Sequence, residues 1–213
     1  MLKAMKSQAG DTIIEVLFAI TIFSLVAVGG LSIMNQGITT SQRALEITLV
    51  RQEIDAQSEA LRFLNNSYIA AYEANGTYTS SEPEGQWALM QASIKATGSY
   101  TVTDLKNVTV CPTPANGSFV INTRTAQFVP PSAGKLLPAD SYAKLNYNDE
   151  SDSNSSVSSA NGIWIEAVRS EDSLDNDQRN SGFIDFHIIA CWDAPGQSIP
   201  VTIGTIVRLY EPR

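Results

Sequence analysis

The chain has 213 residues, 43% of them apolar, which is enough for one packed domain beside a membrane segment and excludes a wholly disordered chain. Its net charge of −8 disfavours sequence-independent nucleic-acid binding, which depends on Lys and Arg neutralising phosphates.

The first ten residues carry Lys3 and Lys6, no acid, and end in Gly10. Thr12 to Leu31 (TIIEVLFAITIFSLVAVGGL) is an apolar run interrupted by one ionisable side chain, Glu15. A helix of about 20 apolar residues crosses a bilayer, so a transmembrane segment is predicted over about 12–34. A secretory signal would place its cleavage site after the apolar region; Gly10 lies before it. Lys3 and Lys6 predict a cytoplasmic N-terminus with the remainder of the chain outside. A carboxylate at the centre of a membrane helix costs about 2.5–3.5 kcal/mol, and snorkelling lowers that cost near an end. Glu15 therefore reads either as an interfacial acid or as a carboxylate placed to meet a cation.

The junction QAG-DTIIEVLFAI resembles the processing site of type IV prepilins. The shared features are a short basic leader, Gly10 as its last residue, Thr12, two apolar residues, Glu15 as the fifth residue after the glycine, and an apolar helix that follows at once. The resemblance spans Lys3 to about Leu64. It departs at Asp11, where family members usually carry Phe; other first residues occur among minor pilins and pseudopilins. The resemblance implies removal of a leader, residues 1–10, by a prepilin peptidase cutting between Gly10 and Asp11. It also implies N-methylation of the new terminus at Asp11 and pairing of Glu15 with the terminal amine of a neighbouring subunit. The partners would be copies of this chain or other pilins in a surface filament, together with the pilus assembly machinery. The roles open to such a filament are adhesion, twitching motility and DNA uptake. A pseudopilin of a secretion or competence system is the nearest variant. The different-class alternative is a single-pass anchored binding protein or adhesin that never polymerises. Gly29 and Gly30 cost about 1 kcal/mol each in helix propensity; they fit either the loosening common in pilin helices or close helix contact in the membrane.

Beyond the apolar run no proline interrupts the helical pattern, which predicts one helix over 11–64, about 80 Å long at 1.5 Å per residue. Ile47, Val50, Ile54, Leu61 and Leu64 form one face, with Ser58 as a break, and Glu46, Arg51, Glu53, Asp55, Glu59 and Arg62 fall elsewhere. No a/d heptad is sustained, so the stripe is expected to meet a head domain, residues 65–213. Asn65 and Asn66 read as the helix end.

Gln86 to Ala96 reads as a short helix with Trp87, Met90 and Ile94 on one side. SYTVTDL, NVTVC, SFVIN, AQFV, GIWIEAV, GFIDFHIIACW and IPVTIGTIVRLY carry strand signals. The segment from Pro130 to Gly162 reads as a long polar loop. In GFIDFHIIACW, Ile184, Phe186, Ile188, Ala190 and Trp192 share an apolar face, and DAPGQSIP reads as the turn joining it antiparallel to the last strand. The expected fold is α+β, a long N-terminal helix whose amphipathic second half packs on a C-terminal antiparallel sheet, as in pilin heads.

Cys111 and Cys191 lie in the head, and export would favour a disulfide between them over two buried thiols. His187 is the only histidine, with Asp185 two residues away on the same strand face, but no nucleophile elbow or phosphate loop accompanies it. The acidic loops NDESDSN (148–154) and EDSLDND (171–177) offer oxygen donors without EF-hand spacing, so solvated loops and no metal are expected. Sequons stand at Asn75 and Asn107. No cofactor or catalytic residue is expected.

Overall fold

The computed structural model describes residues 11–74, 76–97, 102–106, 109–130, 135–169 and 182–212. The fold is α+β. Helix α1 (Asp11–Glu73) precedes α2 (Pro83–Thr97) and eight strands. The chain divides after Ala44 into two compact units.

In the first unit the described residues all belong to α1. No proline interrupts them, and hydroxyls that would otherwise need water bond back to the helix itself. Thr21 Oγ1 donates to the Phe18 carbonyl at 2.8 Å and Ser24 Oγ to that of Ile20 at 2.8 Å.

The second unit is the head. Strands β6 (Ile163–Arg169), β7 (Phe183–Trp192) and β8 (Val201–Tyr210) form an antiparallel sheet with β7 in the middle. β7 and β8 pair over their full length, from Phe183 opposite Tyr210 to Trp192 opposite Val201. The expected apolar face of β7 is the buried one: Ile184, Phe186, Ile188, Ala190 and Trp192 all belong to the core. Strands β1 (Val120–Asn122) and β2 (Gln127–Val129) make a hairpin tied to the sheet by reciprocal hydrogen bonds between Phe119 and Ile165, 3.0 and 2.8 Å.

The stripe of α1 covers this sheet. Val50, Ile54, Leu61 and Leu64 enter one cluster with Trp87, Met90 and Ile94 of α2 and the inner face of β7. Trp87 and Phe186 stand 5.8 Å apart between ring centres, and Phe119 meets Phe186 edge-on at 6.4 Å. Pro83 sits at the first position of α2, where its missing N–H costs nothing. Gly85 follows because a Cβ there would lie 1.9 Å from the Thr79 carbonyl oxygen.

Three sequence expectations are corrected. The helix does not end at Asn65 and Asn66 but continues to Glu73. Asn65 is drawn into the core, where its Nδ2 donates to the Tyr210 carbonyl at 3.2 Å, a tertiary bond that outweighs weak local propensity. The supposed loop from Pro130 to Gly162 contains β3 (Leu136–Leu137), β4 (Lys144–Tyr147) and β5 (Val157–Asn161), a second sheet in the order β3-β5-β4. These strands have two to five residues each, too few for a period to show, and their buried apolar residues are only Leu145, Val157 and Ala160. Gly162, with φ 67°, turns the chain from that sheet directly into β6. Lastly, the described parts of SYTVTDL and NVTVC are not strands; side-chain and disulfide ties replace ladder bonds there.

Candidate functional site

The described apolar surface of the first unit runs around the whole helix. Ile13 is 69% exposed, Phe18 66%, Phe23 74%, Leu25 74% and Val28 67%, positions that point in every direction around a helix of 3.6 residues per turn. An isolated soluble helix of this kind is unstable, since the pattern belongs to a buried or membrane helix. The helix is long and apolar enough to cross a bilayer. Glu15 lies on this surface, exposed, and makes no ion pair among the described residues. Asp11 is the first helical residue. Gly10 and the rest of the expected leader lie outside the described residues.

Within the head, α1 is fastened by polar side chains as well as by its stripe. Gln57 is fully buried. It donates from Nε2 to the Ile121 carbonyl at 2.8 Å and accepts the Ile121 N–H on Oε1 at 2.9 Å, standing in for a strand partner of β1. The indole of Trp192 donates to Glu46 Oε2 at 3.0 Å, and Asn65 holds Tyr210 further along the helix. Sequence reasoning missed these three. The available signal was register: Gln57 falls between Ile54 and Leu61 at helical spacing, where an apolar residue would ordinarily stand.

Cys111 and Cys191 are joined, with an S–S distance of 2.06 Å and 5.6 Å between Cα atoms. The bond fixes the segment preceding β1 against β7. Glu166 closes the same excursion at its base. This buried carboxylate accepts the Thr103 N–H at 2.7 Å, the Thr103 hydroxyl, the Ala115 N–H at 3.4 Å and the Trp164 indole at 2.7 Å. An apolar cavity of about 100 Å³ lies beside the disulfide, lined among others by Pro112, Pro114, Pro138 and Trp164. No family model, curated protein or solved structure matches this chain.

The remaining sequence candidates have defined partners. Both Asp185 oxygens accept from Arg208, each at 2.7 Å, and these hydrogen bonds lower the Asp185 pKa. Asp185 is thereby committed to Arg208, and His187 lies opposite Glu166 and Ile206 in the sheet. In the acidic loop 148–154, Arg124 donates to the carbonyls of Asp149 (3.1 Å) and Asp152 (2.9 Å) and to Glu150 Oε2 (3.1 Å). Asp149 Oδ1 takes the Ser151 N–H and hydroxyl, which holds its pKa down. An internal guanidinium and local N–H groups thus use oxygens that a calcium ion would need. No group of three or more His, Cys, Asp or Glu among the described residues could hold a metal. The loop 171–177 and the sequon residues Asn75 and Asn107 lie outside the described residues.

Proposed function

We propose that this chain is a structural subunit of a type IV pilus-like surface filament. It inserts in the membrane through residues of about 12–34, is cleaved by a prepilin peptidase after Gly10, is N-methylated on Asp11, and polymerises through its N-terminal helix with copies of itself or other pilins. The observation that carries the reading is an apolar helix, exposed on every side, continuing into a helix that grips a disulfide-bonded head. An all-round apolar surface is satisfied by lipid before assembly and by neighbouring helices after it.

In this reading Glu15 acts in assembly. Cleavage makes a positive amine at Asp11, one helical turn below Glu15 in the same chain, and a staggered neighbour brings its own amine to the level of Glu15. Removing one partner of such a pair in low dielectric leaves the other charge uncompensated. Before assembly the subunit is a single-pass membrane protein, N-terminus cytoplasmic and head outside; afterwards it belongs to a filament serving adhesion, twitching motility or DNA uptake, or to the pseudopilus of a secretion machine.

Intact-mass measurement of the purified protein tests processing: a start at Asp11 with one added methyl group is expected, and retention of residues 1–10 sinks the proposal in favour of a plain membrane anchor. Gly10→Leu should block removal of the leader while leaving insertion intact. Glu15→Gln should insert, be cleaved and keep a folded head, yet yield few filaments; Asp11→Phe should not reproduce that loss.

A further inference from the structure

The sequence holds the dipeptide Asn-Gly three times, at 75–76, 116–117 and 161–162. Asparagine before glycine is chemically labile. The glycine nitrogen, with no Cβ beside it, can reach and attack the asparagine side-chain carbon. The attack needs two freedoms. The glycine N–H must give up its proton to solvent, and the peptide between the two residues must rotate to bring the nitrogen onto Cγ. A hydrogen bond from that N–H opposes both.

The fold restricts these freedoms at two of the pairs. The Gly162 N–H donates to the Leu137 carbonyl at 2.7 Å. Asn161 is buried; its Nδ2 donates to Asp140 Oδ2 at 3.0 Å and its Oδ1 accepts the Ser159 hydroxyl at 2.8 Å. The Gly76 N–H donates to the Ala71 carbonyl at 2.9 Å, just past the end of α1. The third pair differs. Asn116 is exposed. The Ser118 N–H closes a turn on the Ala115 carbonyl at 3.1 Å, and the Ser118 hydroxyl donates to the same oxygen at 2.7 Å. Gly117 stands at φ 91°, as glycine does in the third position of a type II turn. Among the described residues, the side chain and carbonyl of Asn116 and the N–H of Gly117 have no hydrogen-bond partner. The turn is held at its ends and free to rotate in its middle.

We propose that Asn116 is a site of spontaneous deamidation, selected by the fold over the other two Asn-Gly pairs, with water as the only co-reactant. Solvent base takes the Gly117 proton and the nitrogen bonds to Asn116 Cγ. The Cγ–Nδ2 bond breaks, and the amide nitrogen leaves as ammonia with a proton from solvent. Water then opens the resulting five-membered imide. Breaking the new N–Cγ bond gives aspartate. Breaking the bond to the main-chain carbonyl carbon gives isoaspartate, in which the chain runs through the former side chain. The balance is one ammonia lost and one water gained, with no oxidation or reduction. Either product sets a carboxylate on the cavity that Asn116 and Gly117 line together with Glu166. The isoaspartyl form also adds a backbone carbon to the turn next to Ala115, whose N–H bonds Glu166. The head thereby carries a chemical record of its age, whether or not the chain polymerises.

The test incubates the full chain in detergent micelles at pH 8 and samples it over weeks. After reduction, alkylation and trypsin digestion at mildly acidic pH, the peptides 107–124 and 145–169 report Asn116 and Asn161 separately. Fragment spectra should place a one-dalton gain at Asn116, and isoaspartyl methyltransferase should label the same peptide. Conversion at Asn116 should exceed that at Asn161 by about tenfold or more, because Asn161 reacts only from locally opened molecules. In the reduced chain unfolded in guanidinium chloride the two should convert at similar rates. Asn116→Gln should remove the gain from peptide 107–124 and leave tryptophan fluorescence unchanged. Asn116 intact in the folded chain while the unfolded chain converts, or Asn161 converting as fast as Asn116 in the folded chain, overturns the proposal.

Discussion

Leu25 and Leu61 are the same residue type in the same element, yet Leu25 is 74% exposed and Leu61 fully buried. The first half of α1 is apolar on every side and has no partner among its own described residues; the second half buries a stripe of Val50, Ile54, Leu61 and Leu64 and carries its charges on other faces, although Leu45 and Phe63 stay exposed. Local helix propensity is weaker in the first half, which holds Gly29, Gly30 and Gly37, yet both halves are helical. What distinguishes them is that the head supplies a complement to the stripe of the second half, while the first half has none within its own unit among the described residues.

That contrast can be broken at several points. The largest effect is expected from severing the head's own tether. Cys111→Ala with Cys191→Ala opens a loop of 80 residues and should cost about 4 kcal/mol, within the usual 2–5. Chemical denaturation followed by tryptophan fluorescence reads the head alone, because all three tryptophans, Trp87, Trp164 and Trp192, lie there. Leu61→Ala should cost about 3 kcal/mol through lost burial and a cavity, whereas Leu25→Ala should leave the same denaturation curve within about 0.5 kcal/mol. Equal losses at the two leucines would abolish the distinction. Gln57→Ala strands the N–H and carbonyl of Ile121 and should cost about 2 kcal/mol.

The smallest effects come from charge. Asp185 has its pKa lowered by Arg208, so the pair adds stability above the unfolded value of about 3.8 that is lost as pH falls through the folded value. Arg208 is half exposed, so this is a modest slope. Asp185→Asn should flatten the acid limb of a plot of Tm against pH. Glu53 has the opposite sign. Its folded pKa is raised, so stability declines as pH rises from about 4.5 through the folded value, and Glu53→Gln should raise Tm at pH 8 slightly.

Strong periodicity made part of the architecture legible. The stripe from Ile47 to Leu64, the alternation of β7 and its pairing with β8 each rest on several residues repeating at one period, and each is present. The expected pairing of Cys111 with Cys191, which rested on a count of two and on the expectation of export, is present. The second sheet was not legible, because strands of two to five residues (LL, KLNY and VSSAN) repeat too briefly to stand out from the polar loop around them. The helix end was misread for a different reason: Asn65 is a poor helix former by itself, and only Tyr210, distant in sequence, explains its place. Glu166 was hidden inside an apolar strand pattern, GIWIEAV, where its burial depends on a segment more than fifty residues upstream. At the candidate surface, the length and apolar character of the helix from Ile13 onward were legible as an unbroken apolar run.

The fastenings of α1 have a mechanical consequence. Glu46, Gln57 and Asn65 hold three separate points of the head, at Trp192, Ile121 and Tyr210, spread over nineteen residues or about 28 Å of helix. A pull along the axis of α1 cannot concentrate on one of them. It loads all three in parallel, and each leads into a different stretch of the head: the end of β7, the first hairpin, and the last residue of β8. Tension on the helix is thereby shared across both termini of the main sheet, and the head yields as a unit rather than unravelling strand by strand.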